Sequence, residues 1–540
     1  MVFSMFIINI IGFVFLLGLV ILIHELGHYI MAKRAGILCH EFALGMGPIL
    51  YSRKKGETLF SIRAIPIGGF VSMAGEEISD SLVSVGDEVR VLMDEKNPKK
   101  VTHIILNPED PRYQDAELIE VERIDLKGKD GEGLYLNDYQ VARDAFYVMK
   151  DKELQIAPYD RSFESKTLFE RFSTIFAGPF MNFILALVIF FVIALLIGQP
   201  VMSSSELGAV SENAAADRAG LATGDVIVSI DGEPIDDWTD IQDVMDDRAG
   251  QGRVDIVVLR DGTELTFSAV PTLQFFSAGF SSDPAEESKV AIGSVGAGGP
   301  ADNAVEVDRR TQSGIMPNDV VLAIGYNKGS LLAVTTWEDV VGFMRDNTSG
   351  ADMYLQIERD VFDEDGETVI DTRVLTYEVG PFSHRFLEGQ GVRPIQNVLG
   401  IGPVFEFDFL ASFPAALGQF GTTSTMIFST LRALFAESRV GVGDLAGPIG
   451  IYTLTSTFIS QGMIPFLTWI GILSVNLGII NLMPIPALDG GRLLFLGYEA
   501  VVKKPVNKRF ENVIHLIMFI LLITLFFFIA FNDVLRILGS

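Results

Sequence analysis

The chain has 540 residues, 49% of them hydrophobic, a formal net charge of −28 and a mean hydropathy of +0.36. That length holds several domains, the hydropathy is that of a membrane protein with a soluble part, and the acidity excludes a nucleic-acid role, which needs basic surface. A single cysteine, Cys39, leaves no intrachain disulfide and no cysteine-built metal site. The charge is also uneven: residues 201–410 hold 37 acids against 13 bases, a net of −24. That stretch reads as a separate soluble module.

In chain order, the first apolar run covers residues 3–23 and carries no charge before His24. About 20 apolar residues suffice to cross a bilayer. No basic segment precedes the run, and it flows directly into His24-Glu25-Leu26-Gly27-His28, so it reads as a spanning helix rather than a signal peptide. Two histidines four apart share one helix face and can ligate one ion. Glu25 sits one step round the helix, where it can take a proton from an attacking water and return it to a leaving amine. Three ionisable groups at the end of an apolar helix mark a functional site.

Residues 36–79 read as extended, with short strand-like runs punctuated by Gly45, Gly47, Gly56 and Gly68-Gly69. Residues 80–168 are polar and of mixed charge and form an expected cytoplasmic insert. The second spanning helix lies within residues 169–200. The acidic region then repeats itself. Residues 218–230, which include Gly224-Asp225-Val226-Ile227, align with residues 312–324, which include Asn318-Asp319-Val320-Val321. Each copy runs on to a tryptophan, Trp238 or Trp337, which opens an apolar helical pattern. Two modules are expected, at 201–285 and 286–385. Residues 386–462 hold an apolar stretch interrupted by Pro414 and Gly418, read as an interfacial helix pair or bundle element, and a Gly-rich loop at 441–450.

The third spanning helix falls within 463–492 and ends Asn481-Leu482-Met483-Pro484-Ile485-Pro486-Ala487-Leu488-Asp489-Gly490-Gly491. A catalytic zinc usually takes three protein ligands, and Asp489, at a broken membrane end, is the candidate third. Asn481 offers an amide to a substrate strand. The other four histidines, His515 among them, lack ligand spacing and read as structural. The fourth spanning helix lies within 493–540. Lys33, Arg34, Arg53 to Lys55, Arg161, Lys166, Arg171, Arg492, Lys503 and Lys504 flank the spans on one side. Positive-inside asymmetry makes that side cytoplasmic, which puts 201–410 outside.

The zinc motif in the first span, the LDGG motif in a late one, and residues 176–183 around Gly178, Pro179 and Asn182 together resemble the site-2 protease family of intramembrane zinc metalloproteases. The arrangement is most similar to its bacterial anti-sigma-factor-cleaving branch. The resemblance implies a multi-pass α-helical membrane protein with four spanning helices, a membrane-associated β-hairpin and inserted α+β PDZ-like domains. It implies Zn2+ on His24, His28 and Asp489, Glu25 as base and acid, and Asn481 as a substrate-positioning residue. Gly178, Pro179 and Asn182 are read as packing residues. The implied partners are transmembrane substrates, unwound to an extended strand, and the lipid bilayer. The PDZ-like modules bind peptide termini, filter substrates by size, or are only structural. Two other functions use the same residues: a membrane metal transporter, and a scaffold with an inactive protease core. An intact Glu25 beside ligands clustered at one depth weighs against both.

Overall fold

The computed structural model describes residues 2–76, 82–128, 133–150, 152–296, 298–309, 311–312, 314–363, 368–436 and 447–539. They fall into two compact units, 1–189 with 445–540, and 190–444.

Among the described residues, four helices are long and apolar enough to cross a membrane: Met5–Arg34, Leu168–Ile197, Met463–Leu482 and Lys508–Val534. The first ends with Lys33 and Arg34 in its last turn, where cations suit the negative end of the helix dipole. Gly36, at φ +73°, then turns the chain out of the helix. Two long strands follow, Cys39–Lys55 and Thr58–Met73, joined by a tight turn with Lys55 opposite Thr58. Both bend back on themselves. Ala43 lies opposite Phe70 on one side and beside Ser61 on the other, while Ser52 also faces Ser61. The result is a four-stranded ribbon in the order 49–55, 58–63, 39–44, 69–73, with residues 69–73 at its edge. Gly45 and Gly68 make the bends at φ +86° and +81°. A side chain at Gly45 would also stand 2.6 Å from the Ile65 carbonyl oxygen. Tyr29, Phe42 and Phe60 stack between the first helix and the ribbon with ring centroids 5.6 Å apart.

The insert folds as a seven-stranded sheet in which residues Asn97–Ile105 and Tyr139–Met149 run parallel, over a core that includes Val91, Ile104, Leu136 and Val141. Main-chain bonds tie its exit to the ribbon: the Leu38 amide donates to Arg161, Ala74 to Leu38 and Phe163 to Ala74. The helix Pro448–Gln461 lies against the first span, with Phe13 edge-on to Tyr452. Its N-terminus is capped by Asp533, a buried carboxylate in the fourth span that accepts from the Gly450 amide at 2.9 Å. Of the Gly-rich loop, residues 441–446 lie outside the described residues.

In the second unit, the sequence repeat is a repeat of structure. Asp225 accepts from the Ala222 amide and pairs with both arms of Arg260 at 2.6 and 2.7 Å. Asp319 does the same with the Met316 amide and Arg359, at 2.7 and 2.6 Å. Each module adds a helix with a capping box, Trp238–Asp247 and Trp337–Asp346. The modules are nested rather than consecutive. Leu399 packs in the core of the first with Ile227 and Ile256, and Ile401–Pro403 pairs with Leu207–Val210. The division expected at residue 285 falls inside one hydrophobic core, because Leu273, Phe275 and Phe280 pack with Val290, Ile292 and Val321. The apolar stretch with Pro414 is one continuous helix, Phe409–Ala436, so of the two expectations, a helix pair or a bundle element, only the pair falls. Pro414 sits in its second turn and removes a single main-chain bond there.

Candidate metal centre

His24 and His28 stand on the last turns of the first spanning helix, both buried. Asp489 reaches them from the first turn of helix Asp489–Val502, which follows the break after Leu482. Two glycines make that break possible. A Cβ on Gly490 would lie 2.1 Å from the Met483 carbonyl oxygen, and one on Gly491 would lie 2.4 Å from that of Ile485.

Three ligand atoms converge. The two Nε2 atoms are 3.2 Å apart, and Asp489 Oδ2 is 3.2 Å from His24 Nε2 and 3.4 Å from His28 Nε2. Ligands about 2.0–2.1 Å from a tetrahedral ion lie roughly 3.3–3.4 Å from one another, so the cluster has the dimensions of a zinc site. Asp489 Oδ2 is buried without a hydrogen-bond partner among the described residues. Such an atom is costly unless a cation meets it.

The outer ring nitrogens are held by the second spanning helix. His28 Nδ1 donates to the Thr174 carbonyl at 2.8 Å, which leaves its Nε2 lone pair facing inward. His24 Nδ1 lies 3.2 Å from the Asn182 carboxamide, whose other atom, Oδ1, is buried and unpartnered. Turning the amide over puts Oδ1 on His24 Nδ1, an assignment that fixes His24 in the same tautomer as His28. In that orientation Asn182, read from sequence as packing, holds the His24 ring. Gly178 does pack: a Cβ there would stand 2.2 Å from His28 Nε2. Gly27 faces it equally closely, 2.2 Å from the Ala177 carbonyl oxygen.

A cavity of about 530 Å³ covers the cluster, with Glu25, Asn481 and the ribbon edge at 68–74 in its walls. The edge strand is pressed against Glu25, since a Cβ on Gly69 would meet Glu25 Cγ at 3.0 Å. A second cavity of about 630 Å³ adjoins it, and Glu76, Ile175, Ala487 and Arg492 line both. Arg492 and Glu76 form an ion pair in that shared wall. Sequence reasoning singled out neither; Arg492 had counted only as a flanking charge.

With this geometry in place, comparison with known proteins is decisive. Residues 12–525 match the family described as peptidase family M50. The chain belongs to that family. It is similar to the zinc metalloprotease RasP of Geobacillus kaustophilus, 32% identical over 535 residues that cover 97% of each chain. It is also similar to the regulator of sigma-W protease RasP of Bacillus subtilis, 32% identical over 542 residues covering 98% of this chain and 99% of that one. A putative zinc metalloprotease of Staphylococcus aureus is 30% identical over 540 residues, with the same coverage. The protein is a site-2-type zinc metalloprotease with membrane-spanning helices.

Proposed function

We propose that the protein hydrolyses a peptide bond inside the spanning segment of single-span membrane proteins already trimmed by another protease, such as anti-sigma factors or signal-peptide remnants. The observation that carries this reading is the cavity itself. It brings a three-ligand cluster, a carboxylate base and a free strand edge together among spanning helices. The name of the Bacillus subtilis relative, a regulator of sigma-W protease, agrees with anti-sigma substrates.

His24, His28 and Asp489 would hold the zinc, which would supply Lewis acidity toward the scissile carbonyl and the attacking water. Glu25 takes the proton of that water and passes it to the leaving amine. A helical peptide bond is sheltered by its own hydrogen bonds, so substrate must first be drawn out. The ribbon edge at 69–73 offers main-chain groups for an added strand, and Asn481, which lines the same cavity, holds that strand. Exposed Leu50, Tyr51 and Ile62 on the far strands of the ribbon suit contact with lipid. Lys and Arg placement puts the metal centre near the cytoplasmic side and the acidic unit outside.

The nested modules are PDZ domains in this reading. Supporting it are the turn at Gly400, φ +79°, before Ile401–Pro403, that strand's pairing with Leu207–Val210, and the helix Trp238–Asp247 of the same module. They bind peptide termini or exclude substrates that still carry an outer domain.

The test is cleavage of a shortened single-span reporter by purified wild type and Glu25→Gln, with bound metal assayed in both. Wild type should cut within the span. The variant should keep about one zinc and cut at least ~100-fold more slowly. Metal in both with cutting in neither would favour the transporter or the scaffold.

A further inference from the structure

The Asp489 loop has an anchor outside its own segment. Ala487 sits at φ +78°, a conformation that side chains other than glycine rarely adopt. Its amide donates to Nδ1 of His515 at 2.8 Å. His515 belongs to the fourth spanning helix and packs its ring on Phe495 of the helix that Asp489 begins. Since Nδ1 accepts, the ring proton is on Nε2, which points toward Glu511 at 3.9 Å. Within the loop, Ile485 donates to Met483 and Leu488 to Ile485. The amide two residues before the ligand depends instead on a side chain from another span.

We infer that His515 is a positioning residue for the metal site: it holds the Ala487 turn in its left-handed conformation and thereby aims Asp489 at His24 and His28. The inference rests on the metal-site reading above. His515 is outside the three-residue cluster and does not line the cavity over it, and sequence spacing gave no reason to single it out. A ligand set loses grip when the groups that orient it are removed, typically by 10–100-fold. His515 acts one step further out, so the expected loss is near the lower end of that range.

The experiment uses full-length protein and two readouts, zinc retention against a competing chelator and cleavage of the shortened reporter. His515→Leu should release zinc at about tenfold lower chelator concentration and show about tenfold lower kcat. His515→Asn puts an acceptor where Nδ1 stands and should stay within about threefold of wild type on both readouts. His515→Gln puts its acceptor at the Nε2 position and should behave like the leucine variant. Ala487→Gly in the His515→Leu background should recover most of the loss, because glycine takes positive φ without strain. A helix-packing role alone would not be rescued there. Wild-type zinc retention in both His515→Leu and His515→Gln overturns the inference, as does an asparagine variant as impaired as the leucine one. A wild type that holds no zinc would remove the metal-site assignment, and this inference with it.

Discussion

At the scale of single residues, the ligands announce themselves and their supports do not. His24, Glu25 and His28 are legible because a four-residue helical repeat puts two imidazoles on one face. Asp489 is legible because proline and glycine break a spanning helix beside it. Asn182 carried no such signal. A buried asparagine in a Gly-Pro segment reads as packing, and only the 3.2 Å approach to His24 and the orphaned Oδ1 reveal its task. His515 was invisible for a related reason, because its partner is a main-chain amide and not a side chain with a spacing. The Asn182 assignment makes a prediction. Asn182→Asp keeps an acceptor on His24 Nδ1 and should retain zinc. Asn182→Leu, which keeps the branching but has no acceptor, should weaken zinc binding roughly 10–100-fold. Equal zinc affinity in the two variants, measured by competition, would return Asn182 to a packing role.

At the scale of elements, the ribbon is fixed to the helix ends by charge as well as by rings. Glu57, in its turn, accepts from Arg161 at 2.7 Å and pairs with Lys33 on the last turn of the first span. The Arg161 hydrogen bond, joined by Lys33, holds the Glu57 carboxyl down to about 2 from an ordinary 4.5, against the opposing effect of burial. A group with a depressed folded pKa stabilises fully above its unfolded value, and that contribution disappears as pH falls through the folded value. Glu57→Gln should therefore lower the melting temperature by a constant amount from pH 8 to about pH 5, and the gap to wild type should close between pH 4.5 and 2. A gap independent of pH over that acid range would mean the ion pairs contribute nothing. Strand content in 36–79 was readable from sequence, since glycines and apolar runs alternate there. The doubling of each strand into a four-stranded ribbon was not. It depends on which residues meet after the bends at Gly45 and Gly68, and local pattern carries no record of that.

At the scale of the whole molecule, the repeat was legible and its nesting was not. The Asp225 and Asp319 turns recur in sequence. The strand that completes the first module lies more than 120 residues later, in a segment too short to show a period. Nesting has a consequence for engineering and for substrate choice. Thr272 stands directly opposite Val398, and antiparallel partners have Cα atoms about 4.5–5.5 Å apart. Residues 272–398 can thus be replaced by a short Gly-Ser linker with the first core, Leu399 included, left whole. Removing 286–385 instead would strip Leu273, Phe275 and Phe280 of their partners, at roughly 1.5–3 kcal/mol for each large apolar side chain exposed. The first excision should give a folded protein with an unchanged kcat on the shortened reporter, and the second should aggregate. The folded variant then separates the two roles proposed for the modules. If the second module excludes bulky substrates, its loss should let the enzyme cut a reporter that keeps its outer domain, which wild type leaves intact. If the modules act by holding peptide ends, that reporter should stay uncut while the KM for the shortened one rises. Cleavage assays on the two reporters with this one variant decide between them.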